Sequence, residues 1–94
     1  MLALWLMKDE ESLLTFPCQF PIKIMGVQSD TFEASIVMTA RKHIPNLGEG
    51  SVKSTPSKTG KYLSVTITFQ ADSREQLDHL YRELSARDDV KMVL

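Results

Sequence analysis

One stretch near the middle of the chain alternates polar and apolar side chains almost without error. Residues 61–71 read Lys-Tyr-Leu-Ser-Val-Thr-Ile-Thr-Phe-Gln-Ala. Successive side chains of a β-strand point to opposite faces, so a period of two that is rich in β-branched residues is typical of a half-buried strand. The sequence therefore predicts a sheet with one face packed and the other face bare.

Turn residues and apolar alternation indicate three further strands. The first is predicted over residues 19–27 and the last over residues 90–94. A short strand over residues 51–55 precedes Pro56, and proline favours an edge position because it cannot donate to a central ladder. In the last strand the residues predicted to face the core are Val90, Met92 and Leu94.

Two amphipathic helices are predicted between these strands. The first opens at Ser29-Asp30, where Asp30 and Glu33 have the spacing of a capping box, and it ends at residues 45–48. The second follows Asp72-Ser73. Its apolar residues at helical spacing are Leu77, Leu80, Tyr81 and Leu84. Each helix has a single apolar stripe, so each is expected to bury one side only.

The order strand, helix, strand, strand, helix, strand predicts an α+β fold, the ferredoxin-like βαββαβ plait. Its four-stranded antiparallel sheet carries two helices, and right-handed crossovers place both on one face. The chain length of 94 residues corresponds to a single domain over residues 1–94, with residues 1–15 as an N-terminal extension. The apolar run 1–7 lacks the features of a signal peptide and is too short to span a bilayer. We expect it to pack on the domain or on a partner.

Charge and cysteine content exclude several classes of function. The formal net charge is −1, which argues against a non-specific DNA-binding protein. Cys18 is the single cysteine, so no internal disulfide can form, and this usage fits a reducing cytoplasm. No residue pattern pairs a nucleophile with a base or spaces ligands for a metal. We therefore expect neither an enzyme nor a cofactor. His43 is expected to be partly buried near a helix end.

Alternation also predicts the side chains on the face that the helices leave bare. They are Lys23, Met25, Ser51, Lys53, Thr55, Tyr62, Ser64, Thr66, Thr68, Lys91 and Val93. The set contains lysines and no acid, so a nearly neutral chain carries one basic face. Such a face is compatible with a solvated surface protected by edge lysines, with packing against a protein, or with binding of an anionic small molecule or single-stranded RNA. Only Tyr62 supplies an aromatic ring on which bases would stack.

The turn after the first strand, residues 25–30, is a second candidate site. Free backbone N–H groups at a helix start bind polar or anionic groups, and Gly26 would let a ligand or another backbone approach closely. The alternative interpretation is that Gly26 ends the strand for conformational reasons alone.

Several runs of sequence together resemble a known family. They are residues 16–17, 20–26 (Phe-Pro-Ile-Lys-Ile-Met-Gly), 41–45 (Arg-Lys-His-Ile-Pro), 53–65, 80–84 and 90–94. In this order and at this spacing, the chain over about residues 13–94 resembles the YbeD-like family of small bacterial proteins of unknown function. The resemblance implies a ferredoxin-like fold similar to ACT-type regulatory domains. Those domains pair side by side and bind small effectors near the loop that corresponds to residues 26–30.

These patterns together favour a small cytoplasmic regulatory module that acts by binding and not by catalysis. The candidate ligand-binding residues are Gly26, Ser29 and Asp30 in the loop and Lys23, Lys53, Tyr62 and Lys91 on the face. The expected partners are a small metabolite, a partner enzyme or a second copy in a homodimer, and a membrane is not expected. The alternative is a single-stranded RNA-binding domain that uses the basic face, although Tyr62 as the single stacking ring makes nucleic acid the less favoured partner.

Overall fold

A four-stranded antiparallel sheet, covered on one side by two helices, organises residues 15–94, the part of the chain that this computed structural model describes. In chain order the elements are β1 (Cys18–Val27), α1 (Phe32–Arg41), β2 (Val52–Pro56), β3 (Tyr62–Ala71), α2 (Arg74–Ser85) and β4 (Val90–Val93), with a short 3-10 turn at Glu49–Ser51. The strand order β2-β3-β1-β4 confirms the ferredoxin-like βαββαβ plait and places β2 at an edge. The prediction for residues 1–7 lies outside the described residues, as does most of the extension assigned to residues 1–15.

The two central strands follow the predicted alternation along their whole length. β1 pairs with β3 from Cys18 opposite Ala71 to Val27 opposite Tyr62. The inward residues of β3 are buried, and the intervening ones are half-buried or exposed. Full burial of one such apolar side chain stabilises the fold by about 1.5–3 kcal/mol, so the inward row of β3 is a large part of the core.

The helices complete the core on the side of the sheet that carries the inward residues. The side chains that α1 and α2 bury there are Phe32, Ile36, Ala40, Leu77, Leu80 and Leu84. The start of α2 matches its prediction, because the Ser73 hydroxyl accepts from the backbone N–H of Gln76 at 3.1 Å. The Gln76 side chain in turn accepts from the backbone N–H of Asp72 at 2.7 Å. These bonds satisfy donors that a helix start leaves without partners.

The predicted capping box of α1 is wrong. The residue that precedes this helix is Thr31, and it makes no side-chain cap hydrogen bond. The helix begins at Phe32, later than the capping-box pattern of Asp30 and Glu33 requires, because the ring of Phe32 is fully buried and holds the first turn against the sheet. Core packing therefore sets the start of α1 in place of a local cap.

β4 carries an irregularity that the sequence pattern does not reveal. Met25 pairs with Met92, but the neighbouring Gly26 pairs with Val90. Lys91 is thus the extra residue of a β-bulge, exposed and without a register partner on β1. A bulge changes the face to which the residues beyond it point.

The bulge overturns the predicted faces of β4. Val93 was expected on the open side but is 1% exposed and belongs to the core. Met92 and Leu94 were expected to face the core but are 42% and 59% exposed. A further correction concerns Ser51, which lies in the 3-10 turn before β2 and not on the open sheet surface.

Arg87 joins the turn before β4 to α1. Its guanidinium group donates two hydrogen bonds of 3.0 Å to the carboxylate of Asp89. It also donates to the hydroxyl of Thr39 at 3.1 Å and to the hydroxyl of Ser35. A planar guanidinium group fits such a set of oxygens well, so Arg87 holds the β4 turn in a fixed position beneath α1.

Candidate binding face on the open side of the sheet

The side of the sheet turned away from the helices, which we call the open face, is organised in rows by the strand register. Two neighbouring rows cross all the strands. The first holds Leu94, Lys23, Thr66 and Lys53, and the second holds Met92, Met25, Ser64 and Thr55. The first row extends to Leu94 because the backbones of Lys23 and Leu94 exchange hydrogen bonds of 3.1 and 2.8 Å. The open face is therefore a regular surface on which each side chain has defined neighbours.

Apolar side chains cluster at the β1–β4 side of this surface. Met25 lies beside Met92, Val27 lies two residues further along β1, and Leu94 follows β4 directly and lies beside Lys23. Val27 and Met92 are each 42% exposed, and Leu94 is 59% exposed. We call these four residues the apolar patch. Contiguous exposed apolar surface of this kind marks interaction sites, and methionine side chains adapt readily to the shape of a partner.

Two lysines lie in the row that also holds Leu94 of the apolar patch. Lys23 and Lys53 both pair in register with Thr66, one from each side, so their backbones lie about 10 Å apart across two strand spacings. Both lysines are exposed, and neither makes an ion pair within residues 15–94. The rows described above contain no acidic residue. The open face thus combines apolar surface with positive charge that no acid in its rows offsets.

Tyr62 is the first residue of β3. It lies opposite Val27 and is half-buried. The ammonium group of Lys61 is 5.7 Å from the centroid of its ring. A cation in this position interacts with the π face of the ring and occupies part of the surface that a stacked base would use. Tyr62 therefore lies at the border of the apolar patch, and part of the ring surface that a base would stack on is taken by Lys61.

The loop candidates occupy a different environment from the lysines. Gly26 is buried, and the space that a side chain would take is filled by the ring of Phe32 and the carbonyl oxygen of Asp89. The hydroxyl of Ser29 accepts from the backbone N–H of Thr31 at 3.4 Å, and Asp30 is exposed. The close approach expected at Gly26 thus exists, but its occupants are other parts of the same chain.

A polar cluster ties the C-terminal end of α1 to α2. The carboxylate of Glu83 contacts Nε2 of His43 and Nζ of Lys42, each at 2.7 Å. These hydrogen bonds, first that of Lys42 and then that of His43, hold the pKa of Glu83 below its ordinary value. The side chain of Gln76 donates to the backbone carbonyl of His43 at 2.9 Å. Because its contacts join two helices, the cluster is best explained as a structural link.

The position expected for His43 is confirmed, since its side chain is 19% exposed beside the end of α1. Its contact with Glu83 was not predicted, because the two residues lie 40 positions apart in the sequence. Within residues 15–94, no group of three or more histidine, cysteine, aspartate or glutamate side chains is arranged to hold a metal ion. Neither of the two helices described has the length and apolar character needed to cross a membrane.

Sequence comparison identifies relatives over almost the whole chain. The profile of a family described as "Protein of unknown function (DUF493)" matches residues 11–94. A UPF0250 protein of Janthinobacterium sp. (strain Marseille) is 49% identical over 84 residues, which cover 89% of this chain and 92% of that protein. A UPF0250 protein of Neisseria gonorrhoeae is 38% identical over 87 residues, covering 93% and 96%.

Structural comparison identifies a similar fold in a solved protein. The solution structure of HP0495 from H. pylori superposes with a TM-score of 0.72 and covers 92% of this chain and 90% of that one. The two sequences are only 14% identical. At this identity, the likeness shows a shared ferredoxin-like architecture and nothing about a shared ligand.

Proposed function

This chain belongs to the DUF493 family of proteins of unknown function, and we propose that it acts as a binding module whose open face docks on a partner protein. The resemblance to small bacterial proteins of unknown function is thereby confirmed. The partner surface we propose is apolar at its centre and acidic at its border. The proposal also includes a regulatory role and a cytoplasmic location. The single cysteine supports the location only.

The observation that carries the proposal is the position of two exposed lysines on the face that holds the apolar patch. Lys23 lies directly beside the patch, and Lys53 lies in the same row two strands away. A solvated sheet surface has no need for a cluster of exposed Met, Val and Leu side chains, and burying them on a partner would be favourable. Protein interfaces have this anatomy, with an apolar centre and a polar rim. Met25, Val27 and Met92 lie on strands, and the backbone of Leu94 is hydrogen-bonded to Lys23, so little backbone order remains to be gained on binding.

The lysines define the charge of the proposed partner. Carboxylates on the partner would meet Lys23 and Lys53 in a row that contains no competing acid of this chain. Charges at an interface rim steer association and select partners more than they add affinity. The proposal therefore includes an association rate that falls as salt is added.

The small-metabolite alternative has weaker support at the 26–30 loop. The space beside Gly26 is taken by Phe32 and by the backbone of Asp89. An effector at this loop would be limited to contacts with exposed side chains such as Asp30. A thermal-shift screen tests this alternative, because ligand binding to the native state raises the melting temperature.

The RNA alternative is supported by the lysines but not by aromatic surface. The two rows described above contain no aromatic side chain, and Lys61 lies over the ring of Tyr62 beyond them. If the alternative holds, the chain binds mixed single-stranded RNA at low salt, and Lys53→Ala together with Lys91→Ala weakens that binding. We expect no such binding.

A capture experiment tests the proposed function. Immobilised wild-type chain is compared, in extract of the source cells, with the double variant K23E/K53E and with the control K58E/R82E. The control makes the same change in net charge at exposed positions, one in the β2–β3 turn and one on α2. We expect one set of proteins to bind the wild type and the control and to be lost with K23E/K53E.

Direct titration of a purified captured protein completes the test. Its Kd should rise at least about tenfold with K23E/K53E and remain near the wild-type value with the control. Equal capture by all three chains, or capture that depends on Lys58 and Arg82 instead, would refute docking on the open face.

A further inference from the structure

We infer that the outer side of α1 is a self-complementary surface on which a second copy of this chain docks, with the two α1 helices antiparallel. This surface lies on the helix side of the molecule, opposite the open face. The inference therefore does not depend on the proposed function. It rests on a helix face that no element described within residues 15–94 covers, on a cleft beside it and on the placement of its charges.

The outer side of α1 carries apolar residues where a solvated helix face would be polar. Met38 is 69% exposed, and Ala34 beside it is also exposed. Val37 is half-buried between them. These positions lie on one side of the helix, because residues three and four apart are neighbours on a helix surface. α1 is thus apolar toward the core and also over the middle of its outer side.

A cleft of about 590 Å³ runs beside this apolar strip, between α1 and the edge strand β2. Val37 and Met38 form one wall and Val52 of β2 contributes to the other. The cleft is open to solvent along the edge of the sheet. A side chain as long and flexible as Met38 from a second copy would fit such a site.

Opposite charges lie at the two ends of the apolar strip formed by Ala34, Val37 and Met38. Glu33 lies in the first turn of α1 and Arg41 in the last, each four residues from Val37 and so about 6 Å from it along the axis. Both side chains are exposed, and neither forms an ion pair within the described part of the chain. Asp30 continues the acidic end into the preceding turn.

This arrangement is complementary to itself under a two-fold axis. When two α1 helices lie antiparallel and cross at Val37, Glu33 of each copy faces Arg41 of the other, and the apolar residues meet between them. A two-fold interface requires such self-complementarity, because the same patch occurs on both sides. The antiparallel direction also sets the opposite ends of the two helix dipoles side by side.

The open face does not have this property. Two open faces placed together would put two basic surfaces into one interface, with no acid in their rows to pair with the lysines, and such an interface is unfavourable. The charges of the molecule therefore favour α1 as the side on which copies meet and leave the open face for a different partner.

Sedimentation velocity of the full chain over a range of concentrations tests this inference. We expect the wild type to show a reversible monomer–dimer equilibrium. The charge reversals E33R and R41E should each raise the dimer Kd at least about tenfold, because each creates two like-charge contacts. An equimolar mixture of E33R and R41E should dimerise again, since both contacts then pair opposite charges.

Two further variants distinguish dimerisation through α1 from dimerisation through the open face. M38D should weaken the dimer, whereas M92D on the open face should leave it unchanged. Circular dichroism confirms that each variant remains folded. A wild-type chain that stays monomeric at about millimolar concentration overturns the inference, because even a Kd of about 1 mM would then give measurable dimer. Self-association that E33R leaves intact or that M92D abolishes overturns it as well.

Discussion

The two sides of the sheet differ in how closely their residues are fixed by the rest of the chain. On the covered side, Gly26 touches both the ring of Phe32 and the backbone of Asp89. On the open face, the neighbouring Met25 contacts its register partners and is otherwise available to a partner. Adjacent residues of one strand therefore differ in role, since Gly26 packs against the core and Met25 lies on the face that we propose as the docking surface.

Substitution of Gly26 should give the largest effect on stability. In Gly26→Ala the new methyl group would overlap the ring of Phe32 and the carbonyl of Asp89. Overpacking of this kind costs about 1–3 kcal/mol and more where backbone is involved, so we expect a loss at the top of this range. Urea unfolding measures it. Gly48→Ala is the control, because nothing lies within 4 Å of its added Cβ. Equal stabilities would contradict the close packing described for Gly26.

A pair of substitutions in β4 tests the bulge. Val93→Ala should reduce the free energy of unfolding by about 2 kcal/mol, because it removes buried methyl groups from the core. Met92→Ala, one residue earlier and 42% exposed, should cost well under about 1 kcal/mol. The reverse order of these losses would mean that β4 pairs with β1 without the bulge, as the alternation in the sequence indicates.

The contacts of Glu83 with Lys42 and His43 should affect how the free energy of unfolding changes at low pH. Because contacts with Lys42 and His43 lower the folded-state pKa of Glu83, the carboxylate form stabilises the fold above the ordinary value of 4.5. This contribution is lost as pH falls through the lowered folded-state pKa. The stability difference between wild type and Glu83→Gln should therefore shrink as the pH falls below the ordinary value of 4.5. A difference that grows on acidification would contradict the assignment.

The smallest stability effect is expected on the open face. K23E/K53E changes exposed side chains that make no ion pair within residues 15–94, so the free energy of unfolding should stay within about 0.5 kcal/mol of wild type. Thermal and urea unfolding check this. A loss similar to that of Val93→Ala would show that these lysines support the fold and would make them unsuitable as binding probes.

The fold was largely predictable from sequence because its main signals are local. The alternation of residues 61–71 and the helical spacing of Leu77, Leu80 and Leu84 each lie within one element. The faces of β4 were not predictable, because the bulge depends on contacts between Gly26 and residues distant in sequence. Met92 and Leu94 were for that reason missed as parts of the open face.

The candidate site shows the same division. Lys23, Lys53 and Tyr62 were placed on the open face correctly, since they lie on strands whose register follows simple alternation. Lys91 falls in the bulge and outside the regular rows. The contact between His43 and Glu83 joins residues 40 positions apart, and no local spacing indicates it.

Site-specific photo-crosslinking in living cells tests the central claim most directly. A photo-reactive amino acid is placed at position 92 on the open face or at position 79, an exposed position on α2. Docking through the open face should give a covalent adduct with another protein from position 92, its loss in the K23E/K53E background and no equivalent adduct from position 79. An adduct that forms from position 79 alone, or one from position 92 that persists unchanged in K23E/K53E, would contradict the claim that the open face is the docking surface.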